Sequence, residues 1–218
     1  RDDVDVYWRA LSSNSAYVLR GMTVADREPL QARIADNYEL SICVREDWIF
    51  NALNVQYAFS NSAATLAQDY LRAAFLTVRE LGVSYANLNG DYFRESAQPI
   101  RKSAEIIQTG AGNCIEGAYL FASLLELQGM NPTVIISFIN GHAFVGLRDL
   151  NGVLWSIETT LVGDHEVTPE DAMNLGTIQN NCWASGVCDH PSAGDRDGGV
   201  IYLDIEGARR GGVHPQPQ

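Results

Sequence analysis

Apolar positions recur with two different periods along this chain, and the change of period divides it into parts. Between Ala63 and Leu81, the residues Leu66, Tyr70, Leu71, Ala74, Phe75 and Val78 return every three to four positions, which predicts a one-faced amphipathic helix ended by Gly82. Ile115 to Leu127 predicts a second helix, with Ala118, Phe121, Leu124 and Leu125 inward and Gly129 as its stop. The pattern then turns extended. Thr133–Ile139, His142–Arg148 and Val153–Glu158 read as strands, the first two separated by Asn140-Gly141, a strong hairpin signal. Thr168-Pro169-Glu170-Asp171 opens a short helix, 189–199 is a Gly- and Asp-rich loop, and Val200–Ile205 is a last strand. Upstream, Ala16–Leu19 and Tyr38–Val44 are β-like stretches separated by polar, turn-prone sequence, and Ser84–Gln98 is a loop. Helices followed by hairpin-linked strands make the fold class α+β, not a doubly wound parallel sheet.

Composition narrows the function classes. Apolar residues make up 46% and charged residues 19% of 218, the balance of an ordinary globular protein with room for a sizeable core. No apolar run approaches the ~18 residues of a membrane span. A net charge of −12 without a basic stripe argues against nucleic acid as a partner. The chain opens at Arg1 with no initiator Met or apolar leader, and so reads as a processed form or a piece of something longer, with other domains of that longer protein as partners. Its N-terminus does not specify a location, for which a bacterial cytoplasm is only the default.

The chemistry gathers in three blocks. Gly110-Ala111-Gly112-Asn113-Cys114-Ile115-Glu116 delivers Cys114 to the start of a helix, where unpaired N–H groups and the positive dipole end favour thiolate. Gly141-His142-Ala143-Phe144 follows, then Trp155-Ser156-Ile157-Glu158-Thr159-Thr160. Cysteine, histidine and carboxylate are the parts of a thiol acyl-transfer site: Cys114 attacks a carbonyl, His142 moves the proton, and Glu158 orients the ring.

Register decides whether the parts meet. A turn through Leu150-Asn151-Gly152, with Gly152 left-handed, sets Asp149 opposite Val153 and Thr160 opposite His142, with Glu158 one diagonal step away on the same face. A two-residue Asn-Gly turn would send Glu158 to the other face. The Cys114 backbone N–H, Gln98 and Gln108 are the candidates for stabilising an oxyanion.

These blocks resemble the transglutaminase-like superfamily, relatives of papain-type cysteine proteases, which carry Gly-x-Cys-x-(Glu/Asp), Gly-His-Ala-(Trp/Phe) and Trp-x-x-(Asp/Glu)-x-Thr in this order. Their order and spacing also look like peptide N-glycanases of the same superfamily. The likeness extends to a bacterial subgroup with Gln-x-Ile-Arg before the cysteine and Asp-Ile-x-x-Ala-Arg near the end, here Gln98-Pro99-Ile100-Arg101 and Asp204-Ile205-Glu206-Gly207-Ala208-Arg209. The resemblance spans roughly residues 60–210. It implies a papain/transglutaminase-like core, its nucleophile helix packed on an antiparallel sheet, as a catalytic domain over 61–218. Residues 1–60 are then a β-rich N-terminal extension or accessory subdomain. It implies a cysteine hydrolase (peptidase or amidase) with the triad Cys114, His142 and Glu158, Gln98 on the oxyanion side, a protein or peptide substrate and no cofactor or metal. Glu158 stands where most members carry Asp. The superfamily also spans glutamine acyltransferases, deamidases and non-catalytic modules.

Plainer roles compete at several positions. Glu116 on the first helical turn reads as a charge complementing the dipole, and Trp155 as packing beneath the site. Cys43 lies in an apolar run and reads as a buried thiol. Cys182 and Cys188 are close enough to bridge in an oxidising compartment; with His190 they fit no common zinc spacing, and unpaired thiols are the first expectation. Asp164, His165 and His214 are loop residues without a named partner.

Overall fold

The structure is a computed structural model that describes residues 29–37, 63–87, 100–127, 132–139, 141–188 and 199–213. Of the N-terminal sixty residues, 29–37 are described, and they are helical (α1) where turn-prone sequence was expected. Leu30 and Ile34, one turn apart, are both buried, which anchors this helix to the core. The β-like stretches 16–19 and 38–44 lie outside the described residues.

Helix α2 runs over Ala63–Glu80 and stops where Gly82 takes a φ of 72°. Its buried side comprises Ala67, Leu71, Ala74, Phe75 and Val78, close to the expected face. Two-residue strands Ser84–Tyr85 (β1) and Ala111–Gly112 (β2) pair in parallel on either side of a short helix, Ser103–Thr109 (α3). That helix is too short to carry a period, which is why the pattern did not show it.

Helix α4, Cys114–Leu127, packs against α2 and α3. Ile115, Ala118, Tyr119, Leu120, Phe121, Ala122, Leu124 and Leu125 are all buried, so it is covered nearly all round rather than on one face. It lies across the antiparallel sheet β5-β4-β3-β6, built from Leu154–Ile157, His142–Arg148, Thr133–Ile139 and Ile201–Asp204. Val134, Ile136 and Phe138 with Ala143, Val145 and Leu147 alternate into the shared core. The mixture of helices and one antiparallel sheet is an α+β architecture.

Two turns set the register. Ile139 pairs with His142, leaving two residues at the β3–β4 hairpin, with Gly141 at φ 72°. In the next hairpin Val145 pairs with Ile157 and Leu147 with Trp155. The turn between them is the three-residue one: the Asp149 N–H donates to the Val153 carbonyl at 2.9 Å and Gly152 has a φ of 83°. Asp149 organises it, accepting from the Asn151 and Val153 N–H groups and from Trp155 Nε1 at 2.8, 2.9 and 3.1 Å.

After a 3-10 turn at Thr159–Leu161, helix α5 spans Pro169–Ser185, far longer than the short helix expected. Thr168 and Asp171 cap it reciprocally, and Pro169, Ala172, Gly176 and Asn180 form its buried stripe. Glycine and asparagine in that stripe hide its period from a hydrophobicity reading. Asp204 ends β6 and caps the last helix (α6), Ile205–Arg210, whose Arg209 grips Glu126 of α4 through two 3.0 Å bonds.

Candidate active site

A hydrogen-bonded turn hands the chain into the cysteine helix. Gly110 closes α3 with a φ of 67°, and β2 then brings the chain to Asn113. Asn113 Oδ1 accepts the Glu116 N–H at 3.0 Å, while Glu116 Oε2 accepts the Asn113 N–H at 3.1 Å, a capping box. Cys114 is therefore the first residue of the helix, its N–H without an acceptor one turn back and its side chain at the positive end of the dipole. It is half-buried, and it is the free cysteine among the described residues.

His142 opens β4 at the sheet end and reaches both other groups. Its Nε2 lies 2.7 Å from Glu158 Oε2, and the Cys114 side chain is near enough to act on the charge of the ring. Burial opposes charge on this ring. The neighbouring Cys114 side chain and the Glu158 carboxylate outweigh it and raise the imidazole from 6.5 to about 10. Phe144, two residues on, packs its ring 5.9 Å from the imidazole.

Glu158 is 2% exposed, yet both of its oxygens are engaged. Oε2 meets His142, and Oε1 accepts the Thr160 N–H at 3.0 Å and hydroxyl at 2.7 Å. Burial raises its pKa; the bond to His142, the imidazolium charge and the two bonds from Thr160 together hold it below the ordinary carboxylate value. Thr160 itself does not pair with His142 as the extended register would have it. The strand ends at Ile157, and the 3-10 turn carries Thr160 round to grip the carboxylate instead.

Two glycines let neighbouring helices close on this segment. A Cβ on Gly117 would stand 3.3 Å from Thr159 Oγ1, and one on Gly176 would stand 2.7 Å from the Ile157 carbonyl carbon and 2.8 Å from Glu158 N. The Glu158 N–H donates to the Ala172 carbonyl of α5 at 2.9 Å. Arg79 pins the following loop by donating to the carbonyls of Val162, Asp164 and Val167 at 3.1, 2.7 and 2.7 Å.

The structure thus brings Cys114, His142 and Glu158 together, and it places the other candidates elsewhere. Gln98 lies outside the described residues, as do Cys43, His190 and His214. Gln108 is exposed on α3. Glu116 is buried in the capping box, not directed to His142, and Trp155 packs against the core with its Nε1 on Asp149. Asp164 and His165 are exposed, Asp164 Oδ1 accepting the Glu166 N–H at 3.0 Å. Cys182 and Cys188 correct the expectation of unpaired thiols: they form a disulfide. Gly186, at φ 68°, reverses the chain at the end of α5, and the Val187 N–H returns to the Cys182 carbonyl, bringing the two Cα atoms to 5.1 Å.

Two supporting residues went unassigned from sequence. Thr160 closes the Trp-x-x-(Asp/Glu)-x-Thr pattern, but its role was not readable because it depends on the strand ending where it does. Arg101 reaches Glu116 across fifteen positions; the Asn113-x-x-Glu116 spacing of a capping box is the signal that a carboxylate there needs a cation if buried. Among the described residues, no three or more His, Cys, Asp or Glu side chains are grouped to hold a metal ion, and no helix is long and apolar enough to cross a membrane. Comparison with known proteins returns no match to a family model, a curated protein or a solved structure.

Proposed function

We propose that this chain is a cysteine-dependent hydrolase with a papain/transglutaminase-like core, cleaving a peptide or amide bond through a thioester. The observation that carries this reading is the His142 imidazole, bonded to the Glu158 carboxylate at 2.7 Å and close to the Cys114 side chain at the start of its helix. An imidazole beside a thiol can take the thiol proton and pass it on, so the pair supplies both nucleophile and general acid. Cys114 Sγ attacks the carbonyl carbon, and His142 protonates the leaving amine as the C–N bond breaks. Water then attacks the thioester while His142 takes its proton, and that proton passes to Cys114 Sγ as the acid is released. Glu158 keeps the ring oriented and offsets its charge. The Cys114 N–H at the helix start is one donor for the oxyanion.

Cys114→Ala tests the reading against a peptide and amide library. The variant should keep the wild-type circular dichroism spectrum and melting temperature and lose turnover to background; turnover that persists would exclude a Cys114 mechanism. Adding a labelled primary amine separates hydrolysis from transfer. A hydrolase releases the acid without incorporating the label, whereas an acyltransferase incorporates it. An inert, ordinary thiol at Cys114 would point to a non-catalytic module.

A further inference from the structure

We propose that Arg101 is a positioning residue for Cys114, clamping the turn that delivers the thiol to His142. The inference rests on the reading of Cys114 and His142 as the reacting pair. One guanidinium reaches three elements. Its Nε and Nη2 donate to the two oxygens of Glu116 at 2.9 and 2.7 Å, Nη2 donates to the Ala111 carbonyl at 2.9 Å, and Nη1 donates to Thr109 Oγ1 at 3.1 Å. The Arg101 backbone N–H adds a bond to Glu116 Oε1 at 3.1 Å.

These contacts bracket the nucleophile. Thr109 ends α3, Ala111 stands three residues before Cys114, and Glu116 stands two after it. Glu116 is 1% exposed and also holds the Asn113 N–H, so its charge is buried against the residue preceding Cys114. Without the guanidinium that carboxylate has to take up a proton or move towards water, and either change loosens the box that sets where the helix begins. Arginine suits the task because a planar fork serves a carboxylate with two bonds and a carbonyl with a third. A lysine ammonium carries the charge without that geometry. Gly110 and Gly112, on either side of Ala111, leave the turn flexible enough to need such a clamp.

The test measures three things on wild type, Arg101→Gln, Arg101→Lys and Glu116→Gln: melting temperature, the rate of Cys114 alkylation by iodoacetamide at pH 7, and the His142 titration by NMR. Arg101→Gln should slow alkylation at least tenfold and move the His142 midpoint down from about 10 while the protein stays folded. Arg101→Lys should recover melting temperature more fully than alkylation. A purely structural arginine would lower the melting temperature and leave the alkylation rate and the His142 midpoint where they were, which overturns the proposal. If Arg101→Gln does not fold, Glu116→Gln carries the same expectation, and unchanged alkylation there overturns it equally. Failure of the underlying reading is distinct: wild-type Cys114 would then react no faster than free cysteine, and His142→Ala would not slow it.

Discussion

Glu158 has both carboxylate oxygens occupied inside the protein, so replacing it by glutamine removes a charge with little change in shape. The His142 midpoint is raised, so its contribution to folding is complete below its ordinary value of 6.5 and is lost as pH climbs through about 10. The Glu158 pKa is lowered, so its contribution is present above the ordinary carboxylate range and is lost as pH falls towards its folded value. Glu158→Gln should therefore lower the His142 midpoint in an NMR titration. Its stability deficit in urea denaturation should be largest near neutrality and shrink above pH 10, where the wild-type ring is itself neutral. Under the proposed mechanism kcat should fall on the order of 10²–10⁴-fold, the range for losing an oriented acid–base group. A His142 midpoint unmoved by this substitution would mean that the carboxylate does not hold the ring.

At the scale of elements, what positions Glu158 is a turn and a helix, and two glycines tell them apart. Gly152 has open space where a Cβ would go, so Gly152→Ala strains only the left-handed turn, a cost of about 1–2 kcal/mol. The Trp155 and Ile157 side chains still anchor the strand in the core, so the register and the His142 midpoint should hold. In Gly176→Ala the new methyl meets strand backbone, which cannot yield, so α5 must move away from Glu158. That variant should lower both the melting temperature and the His142 midpoint. Equal effects of the two substitutions on His142 would show that α5 does not set the carboxylate. The same contrast explains what was legible in the sequence. Cys114, His142 and Glu158 could be read because local chemistry governs them: a glycine turn into a helix, a two-residue hairpin, and a three-residue turn whose parity fixes the face. The closeness of α5 could not, because Gly176 in a helical stripe counts as an interruption until the strand beneath it is seen. Arg101 stands in the Gln-x-Ile-Arg pattern, but its role escaped for the same reason, its partners being chosen by tertiary packing.

On the whole molecule, the cysteine helix is held from both ends, by Arg101 on Glu116 and by Arg209 on Glu126, and among the described residues the free thiol and the disulfide sit on different elements. The sequence left the Cys182–Cys188 pairing open because six residues of separation permit a bridge but only the left-handed Gly186 turns the chain back to make one. So small a loop restrains the unfolded chain modestly, by about 2 kcal/mol in the chain-entropy account. The hydrogen bonds from Gly186 and Val187 to the end of α5 remain when the bridge is cut. Cys182 also lies more than a turn beyond Gly176, where α5 meets the strand leading to Glu158. A Cys182→Ser/Cys188→Ser double variant should therefore lose roughly 2 kcal/mol in urea denaturation while alkylating at Cys114 at the wild-type rate. Non-reducing peptide mapping of the wild type should recover 182 and 188 as one cross-linked species, with Cys114 carrying the alkyl label. Loss of Cys114 reactivity in the double variant would instead tie the bridge to the site through α5, making that helix a redox-sensitive support for Glu158 rather than a passive shelf.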